Sequence, residues 1–288
     1  PEDTTKIWID TGAEIHAMKQ YSSAAGDWGA VATAYTKIEA AGIGRDFALY
    51  DGVIISGVSD IPDLNAAHAV WGKGDDYLVV AALCPGVFQQ QGGLQVSRKL
   101  PDMDFVIEHQ NRLWGCKYGI VNGVAVNEIY ASKLGDFKNW NCFMGLSTDS
   151  YVASCGSDGP FTGATTHLGY PIFFKENCMH KVYGNYPANF QLQTINCRGV
   201  QKGSAGSLAT VNETLFYKSG NAVCAYDGSL PVEISTALGD VYYSDAVAGA
   251  HGNKYYITMK RADGQPHLFV YDTAKGMWHK EDNLYAID

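Results

Sequence analysis

The sequence predicts an all-β chain assembled from repeated short sheets, and three observations carry that prediction. Glycine supplies 32 of the 288 residues and aromatic residues 12%, a mixture suited to many short strands joined by tight turns. Aromatic, strand-like segments recur along the chain. No heptad run and no stretch of about 18 uncharged apolar residues interrupts the pattern, which excludes a coiled coil and a membrane-spanning helix. The 46% hydrophobic content is too high for a disordered chain. With 21 Lys+Arg against 30 Asp+Glu the net charge is -9, and no Lys/Arg cluster suggests a nucleic-acid partner.

Taken in order, the aromatic segments are centred on Trp8, Trp114, Phe173, Phe216 and Tyr256. The last four recur at intervals of roughly 40 to 60 residues, the period of a repeat architecture. A second strand follows each after a polar or glycine-containing connection, at His16, Tyr130, Tyr183, Tyr226 and Tyr271. Before four of them lies a further apolar stretch and a turn, ahead of Arg112, Tyr170, Glu213 and Lys254. Each unit thus offers three strands, and the segment after the hairpin supplies a fourth. Trp closes three hairpins, in Gly26-Asp27-Trp28, in the stretch from Gly135 to Trp140, and in Lys275-Gly276-Met277-Trp278. Four-stranded units with this punctuation predict a β-propeller with about five recognisable blades, because stacked sheets bury faces that single hairpins leave open. An all-β sandwich with accidental similarity is the competing reading.

The interval from Trp8 to Trp114 is more than twice the ordinary one. It predicts an inserted small β-barrel-like or β-sandwich subdomain over 30–100, with the propeller formed by 1–29 and 101–288. Strand signals inside the insertion are AVATAYTKIEA, LYDGVIISGV and DDYLVVAAL, with Gly42, Gly44, Gly52, Gly57, Gly72 and Gly74 as turns and a short helix from Asp63 to Val70. Pairing of Leu284–Ile287 beside Ile7–Ile9 would close a five-bladed ring; if the chain is the middle of a longer protein, the ring has six or seven blades. The chain begins Pro1-Glu2-Asp3 without an initiator Met and shows no secretion signal, which reads as a mature product or a trimmed fragment.

Candidate chemistry is sparse. The cysteines at 84, 116, 142, 155, 178, 197 and 224 are odd in number and lack a C-x-x-C pair, so they read as buried thiols of a reducing compartment. Cys178-Met179-His180 and the pair His267 and His279 have the wrong spacing or too few partners for a metal. His109, His167 and His251 recur at the first turn of successive units and read as structural. The five arginines, Arg45, Arg98, Arg112, Arg198 and Arg261, form no evident clamp for an acidic sugar. Asp149 and Asp158-Gly159 lie in loops able to hold an isolated ion weakly. SKLGDFKNW (132–140) and YDTAKGMW (271–278) loosely resemble the Asp-box turns of sialidases, which are structural. Phosphate-loop, nucleophile-elbow and H-E-x-x-H signatures are absent, so the expectation is no enzyme, no catalytic or metal-binding residue and no cofactor.

PDMDFVIEHQNRLWGC (101–116) and NEIYASKLGDFKNW (127–140) resemble a family of phage and prophage virion-type structural proteins of Gram-positive hosts. The resemblance continues to HLFVYDTAKGMWHKED and covers roughly Tyr35 to Asp282; the family's Gly-Asp before an apolar run stands here as Asp51-Gly52. More remotely, the Asn-Arg-Leu-Trp and Ile-Tyr-Ala-Ser phrases resemble propeller-like head-completion and tail proteins. The resemblance implies a non-enzymatic particle component at a head–tail connector, tail or baseplate, assembled in the host cytoplasm into the virion. Its partners would be other phage structural subunits or copies of itself, with no nucleic acid and no membrane. The alternatives are a carbohydrate-binding or glycoside-cleaving β-propeller and a kelch-like cytoplasmic scaffold.

Overall fold

The computed structural model describes residues 6–9, 14–18, 35–59, 61–82, 87–89 and 93–283. They are all-β: every regular element is a strand or a single 3-10 turn. The chain divides into two compact units, 1–101 with 135–144, and 102–134 with 145–288.

The first unit holds β1 (Lys6–Ile9), β2 (Glu14–Met18), β3 (Tyr35–Glu39), β4 (Gly52–Ser56), β5 (Ala67–Gly74), β6 (Tyr77–Ala81), β7 (Val87–Gln89) and β8 (Gln95–Arg98). Their order across the sheet is β1-β8-β4-β5-β6-β3-β2-β7. The start of β5 pairs with β4 and its end with β6, so this one strand joins the two halves. Alternation puts Val53, Ile55 and Val96 of one half and Ile38, Leu78 and Val80 of the other into a common core with Ile43, Phe47 and Leu64. Between Val70 and Gly72 the register with β6 shifts, leaving Trp71 as the extra residue of a bulge. Gly72 suits that place, since a Cβ there would lie 3.2 Å from Val79.

Several expectations change in this unit. β1 and β2, read as the hairpin of a first blade, do not pair with each other: β1 pairs with β8, and β2 lies between β3 and β7. Residues 6–9 and 14–18 therefore share a sheet with the segment read as an insertion, and the fifth blade expected around Trp8 and His16 is not formed by these strands. The helix expected from Asp63 is a 3-10 turn, Pro62–Leu64. Asn65 ends it by bonding both the N–H and the carbonyl of Val58, and Ala67–Gly74 then runs as β5. Gly52, Gly72 and Gly74 lie inside strands rather than in turns. The closing strand expected at Leu284–Ile287 and the Trp28 turn lie outside the described residues.

The second unit contains four antiparallel sheets, each made of four strands that follow one another in the chain. They are β9 (Phe105–His109), β10 (Arg112–Val121), β11 (Val124–Ala131) and β12 (Tyr151–Ser154); β13 (Gly163–His167), β14 (Tyr170–Phe174), β15 (Cys178–Tyr183) and β16 (Gln191–Asn196); β17 (Ala209–Val211), β18 (Thr214–Lys218), β19 (Val223–Tyr226) and β20 (Val232–Glu233); and β21 (Tyr243–His251), β22 (Lys254–Arg261), β23 (Pro266–Asp272) and β24 (Met277–Asp282). The first three sheets open with a two-residue turn whose central residues both have positive φ, at Gln110-Asn111, Leu168-Gly169 and Asn212-Glu213. That geometry matches the twist of the flanking strands. His109, His167 and His251 end the first strand of their sheets, immediately before a two-residue turn; at Gly252-Asn253, in the fourth sheet, only the glycine has positive φ.

The second strand of each sheet explains the stacking. On β14, Phe173 packs with Trp114, Ile129 and Phe161 of the preceding sheet and its approach, whereas Ile172 and Phe174 pack with Leu215, Tyr217 and Cys224 of the following one. On β18, Phe216 turns the other way, onto Tyr243, Tyr255 and Ile257. Continuous apolar runs such as Ile-Phe-Phe and Leu-Phe-Tyr are what a strand buried on both faces requires. The first strands adjoin: β9 lies beside β13, and β17 beside β21.

Candidate functional site

Three places in the structure combine exposure or buried polarity with a defined geometry. The first is an open groove of about 670 Å³ in the first unit, lined by Tyr50, Gly52, Ala67, His68, Ala69, Trp71, Lys99, Asn141, Phe143 and Met144. β5 contributes the small residues Ala67 and Ala69 to its lining, and the bulge turns Trp71 out to 49% exposure. Tyr35 and Tyr50 hold the indole edge-on, with ring centroids 6.1 and 5.8 Å away and planes at 72° and 83°. Tyr50 has φ +70°, a left-handed conformation that a bulky side chain rarely adopts, and its N–H is tied to the Val70 carbonyl at 2.7 Å. The 135–144 segment, read as part of a propeller blade, instead belongs to this unit and brings Asn141 over Gly52, where a Cβ would meet the Asn141 amide nitrogen at 2.5 Å.

The second is the hairpin of β10 and β11. β9 pairs with β10 only as far as Cys116, and β12 with β11 only from Glu128 onward, so the turn end of the hairpin extends as a two-stranded finger. Its root is fixed by the Tyr118 hydroxyl on Asp158 at 2.7 Å, the Tyr118 N–H on Asp104 at 3.0 Å, and Lys117 on Asp104 at 2.8 Å. Towards the tip Ile120 and Val124 are 78% and 64% exposed. From Tyr118 to Asn127 the finger carries no charged side chain.

The third is a buried polar chain between the first two four-stranded sheets. Lys175 is buried, and its ammonium donates to Asn127 Oδ1 and the Ser157 carbonyl, each at 2.9 Å, with the Tyr118 and Phe161 rings 4.9 and 4.7 Å away. Burial lowers its pKa. The fully buried His180 lies between two hydroxyls, Ser157 Oγ at 2.7 Å from Nε2 and Thr194 Oγ1 at 2.9 Å from Nδ1. Burial, helped by the Lys175 charge, pushes the imidazole down to about 4. A neutral ring satisfies both hydroxyls, donating to one and accepting from the other. So weak a base, enclosed in the core, is suited to holding two sheets together rather than to proton transfer near neutral pH.

The sequence candidates are thereby placed. Cys178 Sγ is 3.9 Å from His180 Nε2, but no cluster of three or more metal-ligating side chains forms among the described residues. The His267 ring meets Tyr243, its Nδ1 3.0 Å from the hydroxyl, in an aromatic contact with Phe269. The His167 ring lies 5.7 Å from that of Tyr226, tilted at 50°, while His251 is exposed. Arg112 is buried and donates to the carbonyls of Ser132, Ser147 and Asp149, and Asp149 accepts the Leu146 N–H at 3.0 Å, so this arginine and this aspartate shape a loop. Asp158 binds Tyr118 and its neighbour Gly159. In both Asp-box-like turns the aspartate accepts an N–H two residues on, Asp136 from Lys138 and Asp272 from Ala274, at 3.2 and 3.1 Å. The indoles of Trp140 and Trp278 donate to the Phe137 and Ile234 carbonyls. The six described cysteines are free thiols, five of them buried, and Cys84 lies outside the described residues.

Sequence reasoning missed Trp71, Tyr50, Asn141 and the finger. One signal for the first was present: a glycine directly after an aromatic residue inside an alternating strand marks a bulge. These features define an all-β protein of stacked antiparallel sheets with an aromatic groove on a separate unit. No protein-family model matches the chain, and no curated protein matches it.

Proposed function

We propose that this chain is a non-enzymatic structural component of a phage or prophage particle, a β-propeller protein that acts through protein–protein contacts. The propeller reading is supported by four successive four-stranded meanders that share their faces with their sequence neighbours, with first strands adjoining in two of the three junctions. The contact-making reading rests on the β10–β11 finger. An uncharged two-stranded ribbon is poorly stable alone in water, and its exposed Ile120 and Val124 gain about 1.5–3 kcal/mol each on full burial against a partner. The rigid root places that apolar tip without adding a loop-ordering cost to binding. The virion-type assignment comes from the sequence resemblance. Its partners are other particle subunits, and its place is the virion after assembly in the host cytoplasm.

Mass spectrometry of purified, induced particles from the source strain tests this reading. The chain is expected in intact particles, and Ile120→Asp with Val124→Asp lowers its incorporation while the free protein stays folded by circular dichroism. Absence of the chain from intact particles defeats the particle assignment; unchanged incorporation of the double variant defeats the role of the finger.

A further inference from the structure

From the geometry of the first unit we infer that the Trp71 groove is a saccharide-binding site, a role separate from the particle contacts proposed above and independent of them. Three features that the fold alone does not require converge there. The bulge in β5 spends a ladder position to turn an indole outward to 49% exposure, and two tyrosines pack against it in T-shaped contacts that fix its orientation. Tyr50 holds its bracing position in a left-handed conformation, the kind of strained residue that concentrates at binding sites. Asn141 is brought close over Gly52 by the 135–144 segment, which leaves its amide at the wall of the groove.

The chemistry of the lining selects the ligand class. A sugar ring offers one face of C–H groups, which packs on an aromatic surface, and a periphery of hydroxyls, which need donors and acceptors. The groove supplies the first with Trp71 and Tyr50, and the second with Asn141, Lys99 and His68, whose Nε2 meets the Leu64 carbonyl at 3.0 Å and leaves Nδ1 as an acceptor. Among the described residues that line it there is no aspartate or glutamate, in a chain of net charge -9. An acidic or neutral sugar is therefore admitted and a cationic ligand gains nothing. A groove of about 670 Å³ open to solvent suits a short oligosaccharide lying along it.

Saturation-transfer difference NMR on the full chain tests the inference with three probes: cellotriose, an N-acetylglucosamine trimer and a galacturonate trimer. Transfer to the ring protons of at least one probe is expected, with binding at least tenfold weaker in Trp71→Ala and partly kept in Trp71→Phe. If Trp71→Ala fails to fold, Asn141→Ala serves in its place, with a smaller but measurable loss. The inference is overturned if none of the three probes shows transfer, or if transfer persists unchanged in a folded Trp71→Ala or Asn141→Ala variant. Either negative result leaves the particle assignment where it stood, since that is read from particle composition.

Discussion

Acidification should loosen the second unit through one histidine. His180 titrates at about 4 in the fold, against the usual 6.5 in an unfolded chain. Between those values the unfolded chain binds a proton that the folded one refuses, so stability rises with pH and is lost as pH falls from 6.5 towards 4. At about 1.4 kcal/mol per pH unit the loss attributable to this group is about 3 kcal/mol. The cause is geometric: an imidazolium here would need both Ser157 Oγ and Thr194 Oγ1 as acceptors, in a buried place already holding the Lys175 ammonium. Burial also lowers His109, His167 and His267, so wild type alone does not isolate the effect. The comparison is therefore with His180→Gln, which keeps a donor and an acceptor and cannot titrate. Urea unfolding at intervals from pH 7 to pH 4 should show the wild type losing about 3 kcal/mol more than the variant across that window. Parallel curves for the two proteins, or an NMR titration placing the His180 ring above 6, would contradict this role of the histidine.

Arg112→Leu should destabilise the second unit by about 3–5 kcal/mol, because it leaves three carbonyls without their shared donor, and hydrogen exchange should rise sharply over 145–154. A loss below about 1 kcal/mol would show that water replaces the guanidinium without cost. Lys218 is buried with its ammonium on the Ser219 and Gly220 carbonyls, and burial pulls it down from the usual 10.5 to about 8. Wild-type stability should therefore increase between pH 8 and 10.5, as the folded protein sheds the proton first, and Lys218→Met should remove that rise in denaturation curves. Thiol labelling of the native protein at pH 8 should reach the half-buried Cys197 before Cys116, Cys155 or Cys224, since all four are raised by burial and only Cys197 is partly open. Peptide mapping by mass spectrometry reads the order, and faster labelling at Cys116 would contradict it.

The repeat was legible because it is local. An apolar run such as Pro171-Ile172-Phe173-Phe174, a two-residue turn before it and a partner strand after it all lie within about 20 residues, so the sheets of the second unit follow from neighbouring sequence. Strand partners far apart in the chain leave no such trace. β1 looks like any other aromatic strand, and nothing in Lys6–Ile9 says that its partner is Gln95–Arg98 rather than Glu14–Met18. The same holds for 135–144, whose Gly-Asp and Trp match the punctuation of a blade while its packing belongs to the first unit. The groove draws on residues near 50, 70, 99 and 141, a set united only by folding. Lys175 reads as the polar end of a strand, and only the tertiary structure shows it enclosed by two rings.

Because Phe173 and Ile172, like Phe216 and Leu215, serve opposite neighbours, the second unit behaves energetically as a row of coupled links. Each inner sheet is held from two sides, and its stability is mostly a property of its junctions rather than of itself. Substituting Phe173 weakens the junction on one side and substituting Phe174 the junction on the other, although the two residues are adjacent in the chain. Damage to one link therefore travels along the row in a direction set by which face of its strand the substituted residue occupies.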